Sequence, residues 1–209
     1  MGTTSLFVEL LVIGLQGGAW LALVVLSVCE RASGGSQEQG EAPGVAFLSS
    51  PIFWAVVAGL CYVLGIALDR VIHSLVFKCQ EDWVRSDAAR RVGTEVDRTT
   101  VRGVWERARI ATLTANGKLP EYFGYFRHRV RVMRASTVNL LLIGIACALF
   151  AHKCSLLPVM PPCSWLLLGG VLACVCWCAW WRLEHTCSRL IFLYIQERDN
   201  QNGGTEPKP

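Results

Sequence analysis

The sequence predicts an all-α polytopic membrane protein with four transmembrane helices and a helical cytoplasmic segment between the second and third. Three observations carry this. The chain is 53% hydrophobic and only 17% charged, against roughly 25% charged residues in ordinary soluble domains. Four apolar runs are nearly free of Lys and Arg, because 13 of the 20 basic residues fall between Lys78 and Arg134. Finally, the longest segment outside those runs is about 58 residues, too short for a nucleotide-binding or protease domain of roughly 100–200 residues. Large soluble enzymes are excluded.

The first run, Leu6 to Cys29, is broken only by Glu9 and Gln16 and is long enough to cross a hydrocarbon core of about 30 Å. No Lys or Arg precedes it, so it reads as a signal anchor and not a cleaved signal peptide. Gly14 and Gly18 form a G-x-x-x-G pattern that would permit close helix contact. Residues 30–50 have the Gly, Ser, Gln and Glu composition of a flexible connector. The second run opens at Pro51, suited to a helix's first turn, with Ser49 or Ser50 as N-cap, and should leave the membrane near Asp69.

These runs divide the chain into a first helix pair (1–77), a basic helical segment (78–136), a second pair with a helical extension (137–198) and a disordered tail (199–209). In the basic segment, apolar residues at three-to-four spacing from Val92 to Leu113 predict one amphipathic helix. It should be capped by Ser86 or Asp87, imperfect at Gly93 and Gly103, and stopped by Asn116-Gly117. Another helix should begin at Pro120-Glu121 and lead into the third run, Thr137 to Ala151. The fourth run is Ser164 to Trp181, and a helical stripe then continues through Leu183, Cys187, Leu190, Ile191, Tyr194 and Ile195. Trp177, Trp180 and Trp181 read as an aromatic belt at the inner interface.

Connectors 30–50 and 152–163 each hold one basic residue, against 13 in 78–134. Positive residues near spans stay on the cytoplasmic side, so both termini and the central segment are expected inside a bacterial inner membrane. With seven acids, that segment carries about +6. Glu9 and the Asp69-Arg70 pair fall near inner span ends, where an ion pair between Glu9 and Arg70 would lower the cost of both charges; the plainer reading is that Glu9 reaches cytoplasmic water.

Several of the ten cysteines lie inside apolar runs, where Cys behaves as a small hydrophobe. Cys174, Cys176 and Cys178 lack the further ligands that a metal site requires. Cys154 and Cys163, on the outer side, are candidates for a disulfide if that compartment is oxidising. The four histidines form no site by spacing, and no hydrolase, P-loop, zincin or C-x-x-C motif is present. Neither cofactor nor small-molecule substrate is indicated, and the chain reads as non-enzymatic.

The basic stretch beginning at Phe126 is the most informative local feature. Arg127, Arg129, Arg131 and Arg134 lie among Tyr122, Phe123, Tyr125 and Phe126, just before the polar Asn139 in the third run. The plain reading is a solvated face anchored to anionic headgroups. The sharper readings are a ring of arginines around an oligomer's vestibule or a nucleic-acid contact. The stretches YVLGIALDRVIHSLVF (62–77) and LPEYFGYFRHRVRVMRASTVN (119–139), with the order of spans, resemble small four-span prokaryotic membrane proteins that accompany CRISPR-type and other antiviral systems. That resemblance implies membrane perturbation or pore formation triggered from the cytoplasm. No recognisable ligand-sensing domain accompanies it here. The sequence thus leads to an oligomeric, channel-like effector, or alternatively to a scaffold or accessory subunit binding a cytoplasmic protein or nucleic-acid partner through residues 80–136.

Overall fold

The structure, a computed structural model, describes residues 3–32, 51–94, 96–114, 119–153 and 161–203. Six α-helices account for nearly all of them: α1 (Thr3–Ala32), α2 (Pro51–Ile72), α3 (Lys78–Arg91), α4 (Arg98–Leu113), α5 (Leu119–Lys153) and α6 (Pro162–Gly203). A π-helical segment, His73–Phe77, joins α2 to α3, and among the described residues there is no strand. Four helical stretches are long and apolar enough to cross a membrane: Phe7–Leu26, Ala55–Arg91, Pro120–His152 and Pro162–Gln201. The all-α, four-span architecture read from hydropathy is the one observed. The expected caps Ser49 and Ser50, the stop at Asn116-Gly117 and Cys154 lie outside the described residues.

Two expectations about helix ends are corrected. The basic segment holds two helices and not one, because the chain breaks at Gly93, whose φ of +82° is open to glycine at little cost. There the Gly93 amide donates to the Arg90 carbonyl at 3.0 Å and the Thr94 amide to the Ala89 carbonyl at 3.0 Å, the paired bonds of a Schellman stop. Ser86 is consequently buried inside α3, and the N-cap of the following helix is Asp97. Gly103, with the same sequence signature, stays helical. At the other end, α6 runs on to Gly203, so 199–203 is helix and not tail.

The chain forms two compact units, each assembled from two separate stretches. The apolar unit comprises residues 2–72 and Arg134–Trp177. Within it, Leu10 faces Gly65 and Gly14 faces Cys61, so α1 and α2 run antiparallel in backbone contact. Trp165 faces Gly144 and Leu140 faces Gly169, the same arrangement for α5 and α6. Apolar solvents give no hydrophobic drive for helices to associate, so close backbone approach at small residues does that work. Larger side chains such as Leu15, Leu60, Val63, Leu149 and Leu167 point outward, where lipid can receive them.

The charged unit comprises His73–Met133 and α6 from Cys178 onward. It has its own core, in which Ala89, Val92, Val101, Trp105, Ala108, Phe123, Cys187, Ile191 and Phe192 are buried together. Here the apolar stripe read from α6 meets the apolar face of α4. Trp180 is corrected from belt to core: it is fully buried with its ring 4.6 Å from Phe77, edge-on. Trp181 packs 4.8 Å from the exposed Trp83.

The G-x-x-x-G pattern makes its contact through one glycine only. A Cβ on Gly14 would collide with the Cys61 carbonyl oxygen, whereas one on Gly18 would meet nothing nearer than the Cys61 sulfur at 3.9 Å. Gly14→Ala should therefore destabilise the protein by about 1–3 kcal/mol through overpacking, with Gly18→Ala close to neutral. Thermal unfolding of both variants in the same detergent checks this, and equal melting temperatures would remove the asymmetry.

Candidate functional site

In the apolar unit the spans bring together a small set of polar side chains. Arg134 Nη2 donates to Asp69 Oδ1 at 2.7 Å, both residues being buried. Ser136 donates to Gln16 at 3.1 Å, and Asn139 Nδ2 donates to the Ile13 carbonyl at 3.3 Å. Asn139 is fully buried, and among the described residues no donor reaches its Oδ1. Each bond ties α5 to α1 or α2, as membrane burial demands of any polar group that cannot reach water.

The ion pair differs from the one expected. Asp69 and Arg70 are adjacent, and about 100° of helical rotation separates neighbours, so only one can face the interior. Asp69 is buried and Arg70 is exposed. The buried cation is Arg134, not Arg70, and Glu9 is half-buried. Glu9 and Asp69 do lie at similar depth, since Leu10 opposite Gly65 sets them within about one turn of the same level.

The basic stretch is likewise divided. Arg134 belongs to the apolar unit and is neutralised there, whereas Arg127, Arg129 and Arg131 belong to the charged unit. Arg127 and Arg129 are exposed and Arg131 is half-buried. The Arg129 guanidinium lies 4.3 Å from the Tyr125 ring centre. Of the five residues, Arg134 and Asn139 make contacts inside the apolar unit, and Arg127, Arg129 and Arg131 lie in the charged unit. Cys163 is exposed at the start of α6, and its expected disulfide with Cys154 lies outside the described residues.

Sequence reading missed the centre of the charged unit. Arg85 Nε donates to Glu184 Oε1 at 3.0 Å and its Nη2 to Glu81 Oε2 at 2.8 Å. All three residues are at most 8% exposed. The guanidinium also lies 4.0 Å from the Trp105 ring centre, a cation–π geometry. One side chain therefore links α3, α4 and α6. His73 Nδ1 reaches Glu81 Oε1 at 3.2 Å, and Arg102 reaches Asp82 at 3.2 Å.

The π segment makes the His73 contact geometrically reasonable. Eight residues of plain α-helix would leave His73 and Glu81 about 80° apart, and the wider i→i+5 turn removes much of that offset. Some signal for this cluster was present in the sequence. Glu81 and Arg85 stand at i,i+4 spacing, and Glu184 shares the inner face of α6 with Trp180, Cys187 and Ile191. A carboxylate on an apolar face needs a partner.

Elsewhere in this unit the Thr99 hydroxyl donates to the Asp97 carboxylate and, with the Arg98 amide, holds that carboxyl below its usual range. Among the described residues no three His, Cys, Asp or Glu side chains gather as metal ligands would. The arrangement positions charge and holds helices together.

Fold and composition together define a polytopic α-helical membrane protein. No protein-family model, curated protein or solved structure matches the chain.

Two outcomes test the polar contacts. Asp69→Asn or Arg134→Gln, each removing one member of a buried ion pair, should cost about 3–5 kcal/mol of stability. The exchanged pair Asp69→Arg with Arg134→Asp should recover part of it in thermal unfolding, and an exchange no better than the singles would contradict the pairing. In the charged unit, Arg85→Met removes the guanidinium that Glu81 and Glu184 share, while Glu81 keeps its contact with His73, and should also destabilise the protein. Adding Glu81→Gln and Glu184→Gln to it should restore much of the melting temperature; a triple variant worse than Arg85→Met would show that the acids act through other partners.

Proposed function

We propose that the chain is a non-enzymatic scaffold or accessory subunit of a bacterial inner membrane, with both termini cytoplasmic, whose four spans hold a folded helical module for a protein partner. The observation that carries this reading is the charged unit's closed core with α4 laid across it. Val101, Trp105, Ala108 and Thr112 are buried, while Arg102, Glu106, Arg107, Ile110 and Leu113 are exposed. Ile110 and Leu113, 59% and 44% exposed, stand one turn apart beside Arg107, a mixture of apolar anchor and charge suited to a protein interface. The orientation rests on the concentration of Lys and Arg between 78 and 134. The resemblance to four-span proteins of antiviral systems implies pore formation and so favours the competing reading instead.

The channel-like oligomer is the competing reading. It draws on exposed Arg127 and Arg129 near a span, but Arg134 and Asn139, which a shared lumen would use, make internal contacts to Asp69 and Ile13.

A photo-crosslinking residue at position 110 should give one discrete protein adduct in cells, lost on Arg107→Glu, and reconstituted protein should leave a bilayer silent. Thr99→Cys should resist an impermeant thiol reagent in intact cells whose other thiols are masked. Conductance that Arg131→Glu alters would replace the scaffold reading with the channel, and labelling at position 99 would invert the topology.

A further inference from the structure

Going beyond that reading, and independent of it, we propose that the start of α5 is a binding surface for the phosphate headgroups of anionic lipid. Phe123 and Val130 are buried, while Tyr122, Arg127 and Arg129 are exposed on the same helix. Three aromatic rings cluster there: Tyr122 lies 4.8 Å from Phe126, and Tyr125 lies 6.2 Å from Phe126. The Arg129 guanidinium stacks on Tyr125 at 4.3 Å, which holds a long cation in place beside rings that are themselves suited to the membrane interface.

Two features of this stretch select lipid as the occupant. The first is depth. On α5 the outward apolar side chains Leu141, Ile145 and Leu149 mark the lipid-facing stretch. Counting back 20 residues from Leu149 reaches Arg129, about 30 Å along the helix and therefore one hydrocarbon thickness away. Arg129 thus stands at headgroup level, with Arg127 slightly beyond it and about 200° round the helix, so that each cation meets a headgroup of its own. The second is charge. From Leu119 to Met133 the helix carries Arg127, Arg129 and Arg131 against Glu121 alone. A positive surface at headgroup depth complements phosphate that is not neutralised by choline, and guanidinium offers it a paired donor geometry.

The test uses the full chain in a neutral detergent, titrated with phosphatidylglycerol or phosphatidylcholine, with bound lipid counted by native mass spectrometry. Wild type should prefer phosphatidylglycerol. Arg127→Ala with Arg129→Ala should weaken that preference by roughly 25-fold, about fivefold for each cation, while Arg90→Ala with Arg98→Ala, both exposed elsewhere in the same unit, should leave it unchanged. If the alanine pair fails to fold, Arg127→Gln and Arg129→Gln are read singly, each with about a fivefold loss. Equal retention of both lipids, or wild-type retention by the folded double or by both single variants, would overturn the proposal. So would competition by inorganic phosphate at millimolar concentration, which would indicate a free-anion site, or tighter arginine-dependent capture of a single-stranded oligonucleotide.

Discussion

A hydrocarbon layer cannot solvate charge, and every polar group carried into it must be answered from within the protein. In the apolar unit this requirement decides which helix faces which. Asp69 and Arg134 are far apart in the chain and each would be costly alone, but together they join α2 to α5. Asn139 and Ser136 tie α5 to α1. Dispersion supplies the remaining cohesion, and it needs backbones close together, which accounts for glycine at Gly14, Gly65, Gly144 and Gly169. Polar contacts select the partners, and small residues bring them near.

Arg85 solves a related problem by different means in the charged unit. Two buried carboxylates, Glu81 and Glu184, converge on one guanidinium whose flat face rests against Trp105. Such a cluster adds less stability than its number of contacts suggests, since desolvation offsets much of the attraction. Its distinctive contribution is geometric: only one mutual placement of α3, α4 and α6 satisfies it. A core of Ala, Val, Ile and Phe side chains could tolerate small slips, and this one cannot.

The spans were legible because hydropathy is a local property summed over about 20 residues. Helix ends were legible only where the signal was equally local. Pro51 opens α2, but Gly93 and Gly103 look alike in sequence, and only Gly93 ends a helix. What separates them is context: Val101, Trp105 and Ala108 form a buried face whose packing favours continued helix through Gly103. The Arg85–Glu184 and Asp69–Arg134 pairs span 99 and 65 residues. A single sequence shows that each charge needs a partner without saying which. The contact of Arg134 with Asp69 was hidden for a similar reason, since residues close in sequence on a helix point in different directions.

The π segment at His73–Phe77 has a consequence for how chains of this kind can vary. A π turn arises when one residue is added to an α-helix, so its removal would close the stretch to ordinary α geometry. Every side chain of α3 would then turn by about 100° about the helix axis relative to His73. Glu81 would leave His73, and Phe77 and Arg85 would turn together with α3 relative to His73. Substitutions at the exposed Ser74, Leu75 and Val76 leave that geometry intact, whereas a one-residue deletion does not. In this stretch the number of residues, more than their identity, is what descent must preserve.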